Sequence, residues 1–228
     1  MITIYDIVLV LPAFLFAIYA QYKVKSTFNY YSQQGNARGL TGAEVARIIL
    51  DENGLTDIPV EAVEGKLSDH YDPSNRILRL SDSVYGSTSV AALGVAAHEA
   101  GHALQHKTGY FAMGLRGALV PVANIGSTLG PWMALGGFFF HIPVLIHLGI
   151  ILFSCAVAFY LITLPVEFNA SNRALSLLES CNILEKDELN PARKVLNAAA
   201  MTYVASAAVA MAHLLSLILS LTGRRGEE

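Results

Sequence analysis

His98-Glu99-Ala100-Gly101-His102 is the stretch of this chain whose residue types and spacing can do chemistry. On a helix, histidines four residues apart share one face, one turn from each other, so both imidazoles can reach a single Zn²⁺. Glu99 stands beside that face, where a carboxylate can take a proton from water polarised by the metal. A catalytic zinc takes three protein ligands and keeps one position open, so a third ligand is needed. His106 continues the face, but eight residues from His98 is about 12 Å along a straight helix, too far for one ion. Glu167 lies at the foot of a long apolar stretch, in Pro165-Val166-Glu167-Phe168-Asn169-Ala170-Ser171. Burying a carboxylate there alone is costly, and coordinating zinc would offset the cost. Glu179, three turns on in more charged company, reads as solvated surface. The expectation is one Zn²⁺ per chain.

Ser87-Thr88-Ser89 can cap a helix from about Val90 to His106, with Val90, Leu93, Ala97, Gly101 and Leu104 as an apolar, small-residue face. Upstream, Thr41-Gly42-Ala43-Glu44 is a capping box, Val45, Ile48 and Ile49 keep helical spacing, and Asn53-Gly54 supplies the stop. Ile58 to Val63 reads as a short strand and Asp72-Pro73-Ser74-Asn75 as a turn. Arg76 to Ser81 alternates polar and apolar as a half-buried strand does, so a small β-hairpin precedes the metal helix. The Arg76–Ser81 strand is expected to offer an edge to which an extended substrate adds.

Of the 228 residues, 54% are hydrophobic and only 14% charged, against about 25% charged in soluble domains. The deficit lies in four apolar stretches: Ile2 to Tyr22, Leu119 to Phe140, Ile142 to Val166 and Asn197 to Leu221. Each approaches the ~20 residues that cross a bilayer. The first contains Asp6 but has no basic n-region or small-residue cleavage site, so it reads as a retained transmembrane helix. The short Phe140-His141-Ile142-Pro143 link makes the second and third a tight hairpin. The expected fold is therefore a mainly α integral membrane protein with about four transmembrane helices and a small α+β cytoplasmic part. Its divisions are a transmembrane helix at 1–22, the α+β part with the zinc helix at 23–117, a transmembrane hairpin at 118–166, a cytoplasmic helix with the third ligand at 167–196, and a C-terminal transmembrane helix and tail at 197–228.

Lys23, Lys25, Arg38 and Arg47 follow the first stretch and Lys107 and Arg116 precede the second. The positive-inside rule thus puts 23–117 and 166–196, and with them the active site, on the cytoplasmic side of the cell membrane. Arg224 and Arg225 run against the rule if the fourth stretch crosses. The net charge of −3 gives no basic footprint for nucleic acid. Cys155 and Cys181 are far apart and read as free thiols, with no C-x-x-C spacing.

The order of these features resembles the YugP-type membrane zinc metallopeptidases and, more distantly, the HtpX-type and CAAX prenyl proteases. The resemblance rests on Asp69-His70-Tyr71-Asp72-Pro73, Leu80-Ser81, Ala96-Ala97-His98-Glu99-Ala100-Gly101-His102-Ala103 and Glu167-Phe168-Asn169-Ala170-Ser171, and covers nearly the whole chain. It implies a gluzincin in which His98, His102 and Glu167 hold zinc and Glu99 is the catalytic base. HtpX-type proteases carry Asp four residues after the ligand Glu, where this chain has Ser171, an acceptor without charge for orienting a ligand histidine.

The expected function is a membrane-embedded, zinc-dependent endopeptidase acting on peptides or membrane proteins, in quality control or processing, beside the lipid bilayer and possible membrane partner proteins. His70, Tyr71, Tyr85 and Arg173 are candidates for an oxyanion or substrate contact. One rival is a non-catalytic zinc-binding membrane subunit or scaffold, which would need a fourth protein ligand such as His70 or His106. Another is a metal or small-molecule carrier, for which the spans offer mainly His147 and His213.

Overall fold

The computed structural model describes residues 4–222, so Arg224 and Arg225 lie outside it. The fold is mainly helical with one small sheet. A π-helical turn, Asp6–Val10, leads into α1 (Leu11–Tyr31). Then come α2 (Gly42–Glu52), β1 (Val60–Val63), β2 (His70–Asp72), β3 (Ile77–Ser81), α3 (Val90–Lys107), α4 (Phe111–Phe139), α5 (Pro143–Ser180) and α6 (Lys186–Thr222). Among the described residues, four helices are long and apolar enough to cross a membrane: Asp6–Tyr31, Phe111–Phe139, Pro143–Ser180 and Lys186–Ser220. The chain forms two compact units. One, the membrane unit, comprises Met1–Gln21, Gly114–Pro165 and Met201–Glu228; the other, the α+β unit, comprises Tyr22–Met113 and Val166–Ala200.

In the α+β unit, α2 begins as its sequence dictates. The Thr41 hydroxyl accepts from the Glu44 amide at 3.3 Å and Glu44 Oε2 accepts from the Thr41 amide at 2.8 Å, closing two free backbone donors of the first turn. Ser89 caps α3 by accepting from the Ala92 amide at 3.2 Å. Fully buried Ile49, Leu50, Leu78, Leu80, Leu93 and Leu178 tie α2, β3, α3 and α5 into one core, each worth about 1.5–3 kcal/mol of burial.

The sheet corrects one expectation. Its order is β1-β3-β2, with β1 parallel and β2 antiparallel to β3. The strand read at Arg76–Ser81 is therefore central and has no free edge for a substrate. The edges are β1 and β2, and β2 makes the hairpin with β3. At the turn, both carboxylate oxygens of Asp72 are engaged: Oδ1 by the amides of Ser74 and Asn75, Oδ2 by the Asn75 side chain. The Asn75 side chain and amide hold the Asp72 carboxyl down to about 2.

In the membrane unit, α4 and α5 close a hairpin through His141, which takes the left-handed conformation at φ 57°. Their backbones meet at glycines. A Cβ on Gly130 would lie 2.9 Å from the Gly149 carbonyl, and one on Gly137 would lie 2.7 Å from the Ile146 amide. Small residues at such crossings let helices pack where lipid supplies no hydrophobic drive.

Candidate metal centre

The helical register of α3 sets His98 and His102 together, ring centroids 4.7 Å apart and planes nearly perpendicular. A second helix completes the group. A Cβ on Gly101 would lie 2.9 Å from the Ala170 carbonyl of α5, so only glycine lets the two backbones approach this closely. One turn before Ala170, Glu167 then reaches the histidines: its Oε2 is 3.2 Å from His98 Nε2 and 3.7 Å from His102 Nε2. Two ligands at about 2.1 Å from a tetrahedral ion are about 3.4 Å apart, so these separations suit one zinc. Among the described residues, His98, His102 and Glu167 form the group with ligand atoms all within 4.8 Å of one another. Glu167 is 2% exposed, and a carboxylate so deeply buried demands a cation beside it. Burial works against a charge on His102, yet the Glu167 and Glu99 carboxylates hold its proton affinity above the ordinary histidine value. The pocket thus favours a positive charge where a metal would sit.

Each histidine is oriented through its other nitrogen. The Nδ1–H of His98 donates to the Ser171 hydroxyl at 3.1 Å, and that of His102 to Gln105 Oε1 at 2.9 Å. This leaves both Nε2 lone pairs facing Glu167. Gln105, itself fully buried, is fixed in turn: its amide donates to the Val166 carbonyl at 2.8 Å and to Asn169 Oδ1 at 3.0 Å. Arg173 Nε donates to the same Asn169 oxygen at 2.8 Å. A chain of polar contacts therefore runs from Arg173 through Asn169 and Gln105 to His102, joining α3 to α5.

Glu99 stays outside the ligand group. It is 8% exposed, and its Oε2 accepts from the Tyr71 amide of β2 at 3.0 Å. The edge strand thus holds the carboxylate beside the histidines. Strand β2 is itself held by Asp69, whose carboxylate accepts from the Ser81 amide at 2.7 Å and hydroxyl at 3.0 Å. The Tyr71 hydroxyl meets His106 Nδ1 at 2.8 Å, so His106 is engaged with Tyr71. His70 is exposed on β2, with Nδ1 against the Ser68 carbonyl at 2.8 Å. Tyr85 is half-buried against the core. Arg173 sits at the far end of the chain to His102.

A family described as "Putative neutral zinc metallopeptidase" matches residues 6–222. The chain belongs to that family. It is also 50% identical over 221 residues to the "Putative membrane protease YugP" of Bacillus subtilis (strain 168), covering 97% of this chain and 98% of that protein. No solved structure matches. For a zinc metallopeptidase family, the donor set of two imidazoles and a carboxylate is the expected chemistry. Reading the residues alone missed Gln105, Asn169 and the Tyr71 amide. Gln105 carried a usable signal: three residues after His102 and seven after His98, it lies on the ligand face. The Tyr71 amide carried none, because a backbone donor has no residue type.

Proposed function

We propose that this chain is a multi-pass cell-membrane endopeptidase that uses one Zn²⁺, held by His98, His102 and Glu167, to hydrolyse peptide bonds. The observation that carries the reading is the arrangement of Glu99: a buried carboxylate next to three convergent ligands, outside them, and fixed by the Tyr71 amide. A group so placed has no part in holding a metal and every reason to handle a proton. Bound between His98, His102 and Glu167, zinc would supply Lewis acidity toward the scissile carbonyl and the attacking water, whose proton would become labile near neutral pH. Glu99 takes that proton and delivers it to the departing amine nitrogen. Ser171 and Gln105 keep the ligand nitrogens aimed while this happens.

Glu99→Gln preserves shape and hydrogen bonding but removes the base. The expected outcome is full zinc content with casein hydrolysis lowered by several orders of magnitude. Unaltered turnover in this variant would sink the peptidase reading in favour of a zinc-binding scaffold. Lys23, Lys25, Arg38 and Arg47, which follow the first apolar stretch, support an active site on the cytoplasmic side. A cysteine replacing exposed Lys66 should then resist a membrane-impermeant thiol reagent in intact cells and label after lysis. Ready labelling in intact cells would reverse the orientation. Membrane proteins undergoing quality control or processing are the proposed substrates.

A further inference from the structure

The membrane unit holds a second feature that metal chemistry does not use. A groove of about 720 Å³ opens among α1, α4, α5 and α6, within the range of ligand sites. Its floor is polar at one end, where the Ser216 hydroxyl donates to Asp6 Oδ1 at 2.6 Å. Along α6, Ser206, His213, Ser216 and Ser220 all line it. Their offsets of seven, three and four put them on one face. Its rim includes exposed Phe14, Leu135 and Trp132. His213 is exposed and, among the described residues, makes no hydrogen bond or ion pair. Ser206 gives its hydroxyl hydrogen to the Thr202 carbonyl at 2.9 Å, leaving its oxygen as an acceptor. An imidazole presented without a partner by a helix long and apolar enough to cross a membrane is costly until one meets it.

We propose that this groove docks a transmembrane segment of a polypeptide, the class of substrate the peptidase reading calls for, on which the proposal rests. An acyl chain would fill the apolar wall but leave His213 and Ser206 without complement. A transmembrane helix bearing hydroxyl or amide side chains supplies donors and acceptors at the required depth, and small serines allow its close approach. The groove would thus select membrane-spanning polypeptides with polar residues in their spans.

Trp132 is the only tryptophan in the chain, so its fluorescence reports on the rim. The test uses full-length protein carrying Glu99→Gln in nanodiscs. The probe is a tryptophan-free peptide of about 20 Leu and Ala residues with a central Ser-Ser pair and a nitroxide quencher. The expected result is saturable quenching, about tenfold tighter than for the same peptide without serines. Ser206→Leu with His213→Leu should erase that preference while zinc content stays at one per chain. Should the double variant lose zinc, His213→Phe alone carries the comparison. Equal quenching by both peptides overturns the proposal. So does quenching by brominated lipid that the serine peptide fails to displace, or transfer between labelled copies showing that a second copy fills the groove. Serine-selective binding in a protein whose unsubstituted form cleaves no casein would keep the groove and defeat the peptidase reading. Cleavage without selective binding would do the reverse.

Discussion

Two close crossings on α5 bring its backbone against another helix, and they differ in what they build. In the membrane unit, α5 meets α4 at Gly130, Gly137 and Gly149; in the α+β unit it meets α3 at Gly101. The first crossing joins apolar surfaces, where glycine serves packing alone. The second is surrounded by polar groups that pair across it: Glu167 with the histidines, Ser171 with His98, Gln105 with Val166 and Asn169. The same steric device therefore yields a hairpin in one place and a candidate metal centre in the other. The difference lies in the residues one turn either side of the contact.

Removing Glu167, the carboxylate that sets the second crossing apart from the first, should have the largest effect. Glu167→Ala leaves two imidazoles for a cation that needs three ligands, so zinc and hydrolysis should be lost together. His106→Ala, which frees the Tyr71 hydroxyl, should leave zinc near one per chain. Metal analysis of the two purified variants decides it. Zinc retained without Glu167 and lost without His106 would move the centre along α3 and undo the assignment.

A gentler break acts on the glycines themselves. In Gly101→Ala the new methyl meets the Ala170 carbonyl, a backbone atom that yields only if α5 moves. Zinc sites tolerate ligand displacements of about 0.2 Å, so zinc affinity should fall by roughly 10- to 100-fold, as measured by competition with a chromogenic chelator. Gly130→Ala crowds the hairpin in the same way but far from any ligand in sequence. Its expected cost is about 1–3 kcal/mol of stability, seen as a lower unfolding temperature with zinc affinity unchanged. If both variants lose zinc equally, the two crossings are one mechanical unit and the distinction fails.

These differences also show what the residues disclosed in advance. The pairing of His98 with His102 was legible because a four-residue spacing on a helix has one geometric meaning, and the approach of Glu167 to them because a carboxylate at the end of an apolar span needs compensation. The four apolar helices followed from length and composition. The sheet order was not legible: alternation in Ile77–Ser81 says that one face is buried, not which strands flank it. Its partner β1 pairs in parallel, across a connection that contains β2. The role of Ser171 was open because hydroxyl chemistry allows a neutral acceptor, and only the 3.1 Å contact shows which histidine it serves.

The smallest expected effects separate the two histidine supports. Ser171 gives His98 one neutral acceptor and touches nothing else that the centre needs, so Ser171→Ala should weaken zinc by a few-fold at most, near the net worth of one hydrogen bond. Gln105 does more. Gln105→Leu removes the acceptor that sets the His102 tautomer. It also takes one donor from the Val166 carbonyl and one from Asn169, which keeps its bond from Arg173, inside a buried contact between α3 and α5 where lost polar pairing is costly. Its expected loss is about 10- to 100-fold in zinc affinity, with hydrolysis falling in step at limiting zinc and recovering at saturating zinc. That recovery is the telling readout, because a support for a ligand is bypassed by excess metal whereas a proton-transfer group such as Glu99 is not. If Gln105→Leu stays inactive at full zinc occupancy, Gln105 acts on the reacting groups directly and the polar chain from Arg173 would have to be redrawn as part of the substrate site.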